Sequence, residues 1–172
     1  MTRAFCHLCG AKLQEKSESV WHCPSCGQDH FSNPKPAVEL AIIDTKGNIL
    51  VSRRAREPYK GKLDLPGGFV DLHETLEMAV LREAKEELEL MADEITTPQF
   101  FTSMFMAYTF QNETYQVLVS VFVAKLRAEQ RIFKPHDDVA EVLWLNEEIL
   151  TKDDFASDQH YTYILAILKN QS

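Results

Sequence analysis

Residues 65–90 read LPGGFVDLHETLEMAVLREAKEELEL, and this stretch decides the fold. From Glu74 to about Leu90 there is no glycine or proline. Leu76, Val80, Ala84 and Leu88 recur every four residues, the apolar stripe of a helix with one buried face. Just before it, Leu65-Pro66-Gly67-Gly68 predicts a tight turn. A helix advances roughly 100° per residue, so Glu83, Glu86 and Glu87 share an arc of about 100° beside the stripe. Like charges at those spacings oppose an isolated helix by only about 0.2–0.5 kcal/mol per pair. A solvated face tolerates that cost, so the trio alone proves no function. The register is more specific: Gly68-x5-Glu74-x7-Arg82-Glu83-x2-Glu86-Glu87 keeps fixed gaps across some two dozen residues.

Upstream of this stretch, residues 37–44 (AVELAIID) and 48–53 (NILVSR) read as strands, with a hairpin at Lys46-Gly47-Asn48. Downstream, residues 100–110 and 115–126 are rich in aromatic and β-branched residues, and Gln111-Asn112-Glu113 suits the turn between them. A strand near Glu141–Leu145, a short helix and a terminal helix near Asp158–Leu168 complete the pattern. Strands interleaved with helices predict an α/β sandwich. Ser32-Asn33-Pro34-Lys35-Pro36 is read as a link without regular pairing, which divides the chain into 1–33 and 37–172.

The first part carries all four cysteines, as Cys6-x2-Cys9 and Cys23-x2-Cys26, each pair followed by glycine (Gly10 and Gly27). Two such pairs read as a structural zinc site rather than as disulfides, because four thiolates close a tetrahedral shell. The segment resembles a zinc ribbon. Arg3, Lys12 and Lys16 balance Glu15, Glu18 and Asp29, so it has no electrostatic footprint for nucleic acid. His7, His22 and His30 are read as ordinary surface residues.

The whole chain has 172 residues, 45% of them apolar, and a formal charge of −8. That supports a real core and argues against a general nucleic-acid binder. No run suits a membrane span or a signal peptide, so a cytoplasmic protein is expected. Arg53, Arg54, Arg56, Lys60 and Lys62 reverse the sign locally, just ahead of the glycine pair. Arg53 and Arg54 are candidate phosphate contacts, and Phe105 and Tyr108 are candidates to stack on a base.

The chemistry of the glutamates has a physical reason. An anionic phosphate ester repels an incoming water or hydroxide until its charge is neutralised. Hard Mg²⁺ or Mn²⁺ on carboxylate oxygens does this and acidifies bound water. Arg82 can orient a neighbouring carboxylate by a bidentate pair, and glycines let a backbone carbonyl approach the metal.

The 68–90 pattern resembles the box of the Nudix family, enzymes that hydrolyse a diphosphate linked to another moiety. The resemblance implies an α/β/α sandwich with a mixed sheet, and metal binding by Glu83, Glu86, Glu87 and the Gly67 carbonyl. It implies Glu83 as general base, with Glu74 and Arg82 in support. Glu141 is the candidate for a further acid, with Asp138 second. The expected substrate is a small nucleoside diphosphate derivative, of NADH, ADP-ribose or dinucleoside polyphosphate type, with a capped RNA end as the one nucleic-acid partner. A homodimer is expected. At the helix exit Glu89 replaces the family's glycine. A ribbon ahead of such a domain is similar to the NADH pyrophosphatase branch, but that branch's SQPWPFPxS signature is absent, since Ser103 is followed by MFMAY. The alternative reading is a nucleotide-binding regulatory module without hydrolysis.

Overall fold

The computed structural model describes residues 4–128, 133 and 139–170, with Phe110 described in its backbone only. Two sheets are present among them. The smaller is antiparallel and holds β1 (Gln14–Ser17), β2 (Val20–His22) and β3 (Asp29–Phe31) in that order. Its miniature core is Cys6, Leu13, Trp21 and Cys23.

The larger sheet has seven strands: β4 (Lys35–Ile43), β5 (Ile49–Arg54), β6 (Leu63–Asp64), β7 (Gly67–Phe69), β8 (Gln99–Phe110), β9 (Glu113–Lys125) and β10 (Val139–Leu145). The order along it is β10-β5-β4-β9-β8, with β6 beside β5 and β7 beside β4. β4 and β9 run parallel in register from Lys35↔Val117 to Ile43↔Lys125, and the other pairs are antiparallel. The sheet is therefore mixed.

Helix α1 (Leu76–Leu88) covers one face and α2 (Asp158–Lys169) belongs to the core on the other. The α1 side packs Ala79, Val80, Ala84 and Leu88 against Val38, Leu40 and Ile42 of β4. The α2 side packs Ile164 and Ile167 against Ala37, Ala41 and Ile43. Since β4 is covered on both faces, seven of its nine residues are buried and its sequence is almost wholly apolar. Among the buried seven Glu39 is the exception, a charged side chain only 7% exposed.

Three expectations change in detail. Gly67-Gly68 is not a free turn: it is the start of β7, paired as Glu39↔Gly67 and Val38↔Gly68. α1 begins at Leu76 behind a Thr75 N-cap whose hydroxyl accepts the Met78 N–H, so Glu74 stands just outside the helix. Pro36 belongs to β4, opposite Leu118, at the strand's start where a missing N–H is tolerated. Asp138 lies outside the described residues.

Candidate active site

Arg82 organises the glutamates. Its Nε and Nη2 donate to the two Glu74 oxygens at 2.9 and 3.0 Å, a bidentate pair across the helix entrance. Its Nη1 donates to Glu83 Oε1 at 2.7 Å and Glu86 Oε2 at 3.1 Å, and Nη2 also donates to the Phe69 carbonyl at 2.9 Å. One guanidinium thus ties α1 to the segment before it and to β7. Its bond to Glu74 leads in raising the Arg82 pKa and in holding the Glu74 carboxyl below its usual range. Glu83 moves the other way, because burial raises its pKa more than Arg82 lowers it.

Both glycines are required by close approach. A Cβ on Gly67 would stand 2.1 Å from the Val38 carbonyl oxygen, inside the β4–β7 pair. A Cβ on Gly68 would stand 2.4 Å from Glu83 Oε1, so the carboxylate lies against bare backbone. The Gly67 N–H donates to Glu87 Oε2 at 3.0 Å. Glu83, Glu86 and Glu87 therefore meet the glycine pair and Arg82 in one place. Oxygen donors on a rigid helix face, one of them largely buried, suit a hard divalent cation.

At Glu89 the helix still ends in a left-handed residue, with φ 53° and ψ 26°, and its N–H bonds the Ala84 and Lys85 carbonyls. The exit geometry of a glycine is kept without the glycine.

A cavity of about 200 Å³ opens beside this cluster. Its lining includes Gly67, Gly68 and Glu87, then Arg54, Asp64 and His160, and Tyr59, Phe69 and Tyr108 contribute aromatic surface. Of the four candidate substrate contacts, Arg54 and Tyr108 reach it and Arg53 and Phe105 do not. Strand alternation is the reason. Arg53 projects away from Arg54 and bonds Glu141 Oε2 at 3.0 Å and the Gly61 carbonyl at 2.8 Å. Phe105 lies three residues from Tyr108 on β8, hence on the other face, in a second cleft with Phe31 and Tyr115. Glu141, the candidate further acid, is placed by that Arg53 pair on the β5–β10 ladder.

The cavity also exposes a polar group that the sequence reading missed. His160 Nε2 stands 3.2 Å from Glu39 Oε1 and 3.1 Å from Asp64 Oδ1. Its Nδ1 is 2.6 Å from Ser157 Oγ. The Tyr163 hydroxyl donates to Glu39 Oε2, and Arg54 Nη1 to Asp64 Oδ2 at 3.0 Å. Burial alone would lower the His160 pKa, but the two carboxylates push it up to about 10. Burial raises the Glu39 pKa, whereas at Asp64 burial is outweighed by His160 and Arg54 and the pKa falls. Two signals in the sequence were available: a glutamate inside an apolar strand, and a histidine in the buried stripe His160, Tyr163, Ile164, Ile167 of α2.

In the small sheet the four sulfurs converge within 4.8 Å of one another. Cys6 Sγ lies 3.8 Å from Cys26 Sγ, and Cys9 Sγ 3.5 Å from Cys23 Sγ. Sulfurs around a tetrahedral zinc, at about 2.3 Å each, stand about 3.8 Å apart, so the cluster fits a zinc ribbon. Gly10 and Gly27, at φ +73° and +75°, each donate an N–H at 2.8 Å to the carbonyl of the first cysteine of their pair. His22 bonds Asp29, and His30 is buried and packs edge-on against His7, so His30 is not the surface residue its polarity suggested.

Comparison with known proteins follows the same lines. The chain is 29% identical over 100 residues to an NAD-capped RNA hydrolase NudC of Stutzerimonas stutzeri, covering 58% of this chain and 34% of that protein. It is 46% identical over 61 residues to an ADP-ribose pyrophosphatase of Methanocaldococcus jannaschii, 36% of either chain. The match thus spans about a third of the length of these curated relatives. A NUDIX hydrolase structure from Nitrosomonas europaea superposes with a TM-score of 0.71 at 25% identity, over 98% of this chain and 92% of that one. The NUDIX domain family itself matches from the start of the main sheet into the last helix, residues 33–165, and on that ground the chain belongs to the Nudix family.

Proposed function

We propose that this chain is a divalent-metal-dependent hydrolase that cleaves the diphosphate linkage of a nucleoside diphosphate derivative. The observation that carries the reading is the meeting of Glu83, Glu86 and Glu87 with a glycine pair at the mouth of a cavity walled by aromatic residues. Glu83, Glu86 and Glu87, with the Gly67 carbonyl, would hold Mg²⁺ or Mn²⁺, which neutralises phosphate charge and acidifies water. Glu83 takes the proton of the attacking water. Its contact with Gly68 and its bond to Arg82 fix where that carboxylate stands. Water oxygen joins one phosphorus, the bridging P–O bond breaks, and each product leaves bearing a phosphate. Arg82 and Glu74 position the helix rather than touch the substrate.

The linked nucleoside lies in the cavity, where Tyr108 and Phe69 give it an aromatic wall and Arg54 a cationic group. Relatives named for NAD-capped RNA and ADP-ribose support substrates of those two types, and NADH and dinucleoside polyphosphates carry the same diphosphate-linked nucleoside. Glu141, paired with Arg53, remains the proposed additional acid. The test is a product-resolved screen of such compounds with Mg²⁺ and Mn²⁺, wild type beside Glu83→Gln and Glu87→Gln. Turnover on a preferred substrate should fall at least about 100-fold in both variants. Unchanged turnover would sink the reading. Saturable nucleotide binding with no product under any metal would replace it with a regulatory module.

A further inference from the structure

Beside the box glutamates, the described residues gather three groups of metal-ligating type in the cavity wall, and the mechanism above uses none of them. Glu39 comes from β4, Asp64 from β6 and His160 from α2, and one ligand atom of each lies within 4.8 Å of the others. His160 Nε2 is 3.2 Å from one carboxylate oxygen and 3.1 Å from the other. One N–H can serve both only as a shared, three-centre bond, and the separations sit at the long end of the N–H···O range of about 2.7–3.2 Å. They also match atoms sharing a metal: at about 2.0–2.1 Å from a tetrahedral zinc, N and O ligands stand about 3.3 Å apart.

The surroundings point the same way. Each of the three side chains has its remaining polar atom engaged from outside the trio: His160 Nδ1 by Ser157, Glu39 Oε2 by Tyr163, Asp64 Oδ2 by Arg54. Metal ligands are commonly oriented in this way. All three also line the cavity, which is the side from which a further ligand could approach. A metal at His160 Nε2 would displace the proton that the two carboxylates otherwise hold there, and the two carboxylates with Arg54 would then leave one negative charge. A dication would reverse that sign where the proposed substrate is anionic.

We propose that Glu39, Asp64 and His160 form a second, mononuclear site for a zinc-class divalent transition metal, distinct from the four cysteines and from the box glutamates, with its open position facing the cavity. Imidazole nitrogen with two carboxylates suits Zn²⁺ and Co²⁺ better than Mg²⁺, which prefers oxygen and retained water. The site does not depend on the hydrolase reading, because its test counts metal and not turnover.

The experiment is zinc stoichiometry by elemental analysis, at neutral pH, on protein equilibrated with limiting excess Zn²⁺ and a large excess of Mg²⁺ to occupy the box. About two zinc ions per chain are expected in wild type, and about one in His160→Gln and in Glu39→Gln. A variant with Cys6 and Cys9 both changed to serine should keep the ion that those two variants lose. Co²⁺ titration of the wild type guards against variants that fail to fold. One equivalent should bring thiolate charge-transfer absorbance, and a second only weak ligand-field bands. One zinc in wild type, or two in wild type and in both cavity variants, would overturn the proposal. In the first case the trio is a proton-held ion network, and in the second the extra ion sits elsewhere.

Discussion

Gly68 and Glu89 occupy two of the special backbone positions at the box. A methyl group on Gly68 would fall 2.4 Å from Glu83 Oε1, and the carboxylate would have to move. A misplacement of about 1 Å at a reacting group can cost about 100-fold in rate. Gly68→Ala should therefore lose turnover on that order while unfolding at a similar denaturant concentration. Glu89 holds φ 53°, a region that costs a side-chain-bearing residue about 1–2 kcal/mol. Glu89→Gly should raise unfolding free energy by about 1 kcal/mol in a urea titration, less the entropy glycine adds to the unfolded chain. A loss of stability would mean that the Glu89 side chain contributes more than its backbone costs.

At the scale of the element, α1 is held at its entrance by the fork between Arg82 and Glu74, two bonds of 2.9 and 3.0 Å to a residue outside the helix. Lysine offers a point charge and cannot span both oxygens while also reaching Glu83 and Glu86. Arg82→Lys should lower stability by about 2 kcal/mol, the value of a charge-assisted bond or two. It should also raise the Mg²⁺ concentration for half-maximal activity by about tenfold, read from a metal titration at fixed substrate. An unchanged metal requirement would show that Arg82 supports the helix without placing its carboxylates. The helical register of the box was legible in advance because period and spacing are local properties. The role of Gly67-Gly68 was not, because a strand pair with β4 depends on residues some thirty positions upstream.

At the scale of the whole molecule, the described residues form three separate apolar clusters, two on the faces of the large sheet and one around the cysteines. The cysteine cluster has only Cys6, Leu13, Trp21 and Cys23 buried, with Ala11 packed against them, too little apolar burial to hold a fold without metal. Changing Cys6 and Cys9 to serine should expose residues 4–33 to protease while the remainder keeps its circular dichroism and its thermal transition. Cooperative loss of both would show that the ribbon and the large sheet fold as one unit. Among the described residues no helix is long and apolar enough to cross a membrane.

Local pattern sufficed for the helix with its stripe, the alternating strands and the cysteine spacing, because each follows from contacts within a few residues along the chain. It offered Arg53, Arg54, Phe105 and Tyr108 together as substrate contacts, although strand alternation sends the members of each pair to opposite faces. Which member meets the cavity was decided only when β5 and β8 took their places in the sheet, leaving Arg54 and Tyr108 inside and pairing Arg53 with Glu141. The Glu39, Asp64 and His160 group belongs wholly to tertiary structure. Its members are separated by as many as 121 positions, come from two strands and the last helix, and carry no common spacing. Only the packing of α2 against the sheet brings their charges within bonding distance and away from water.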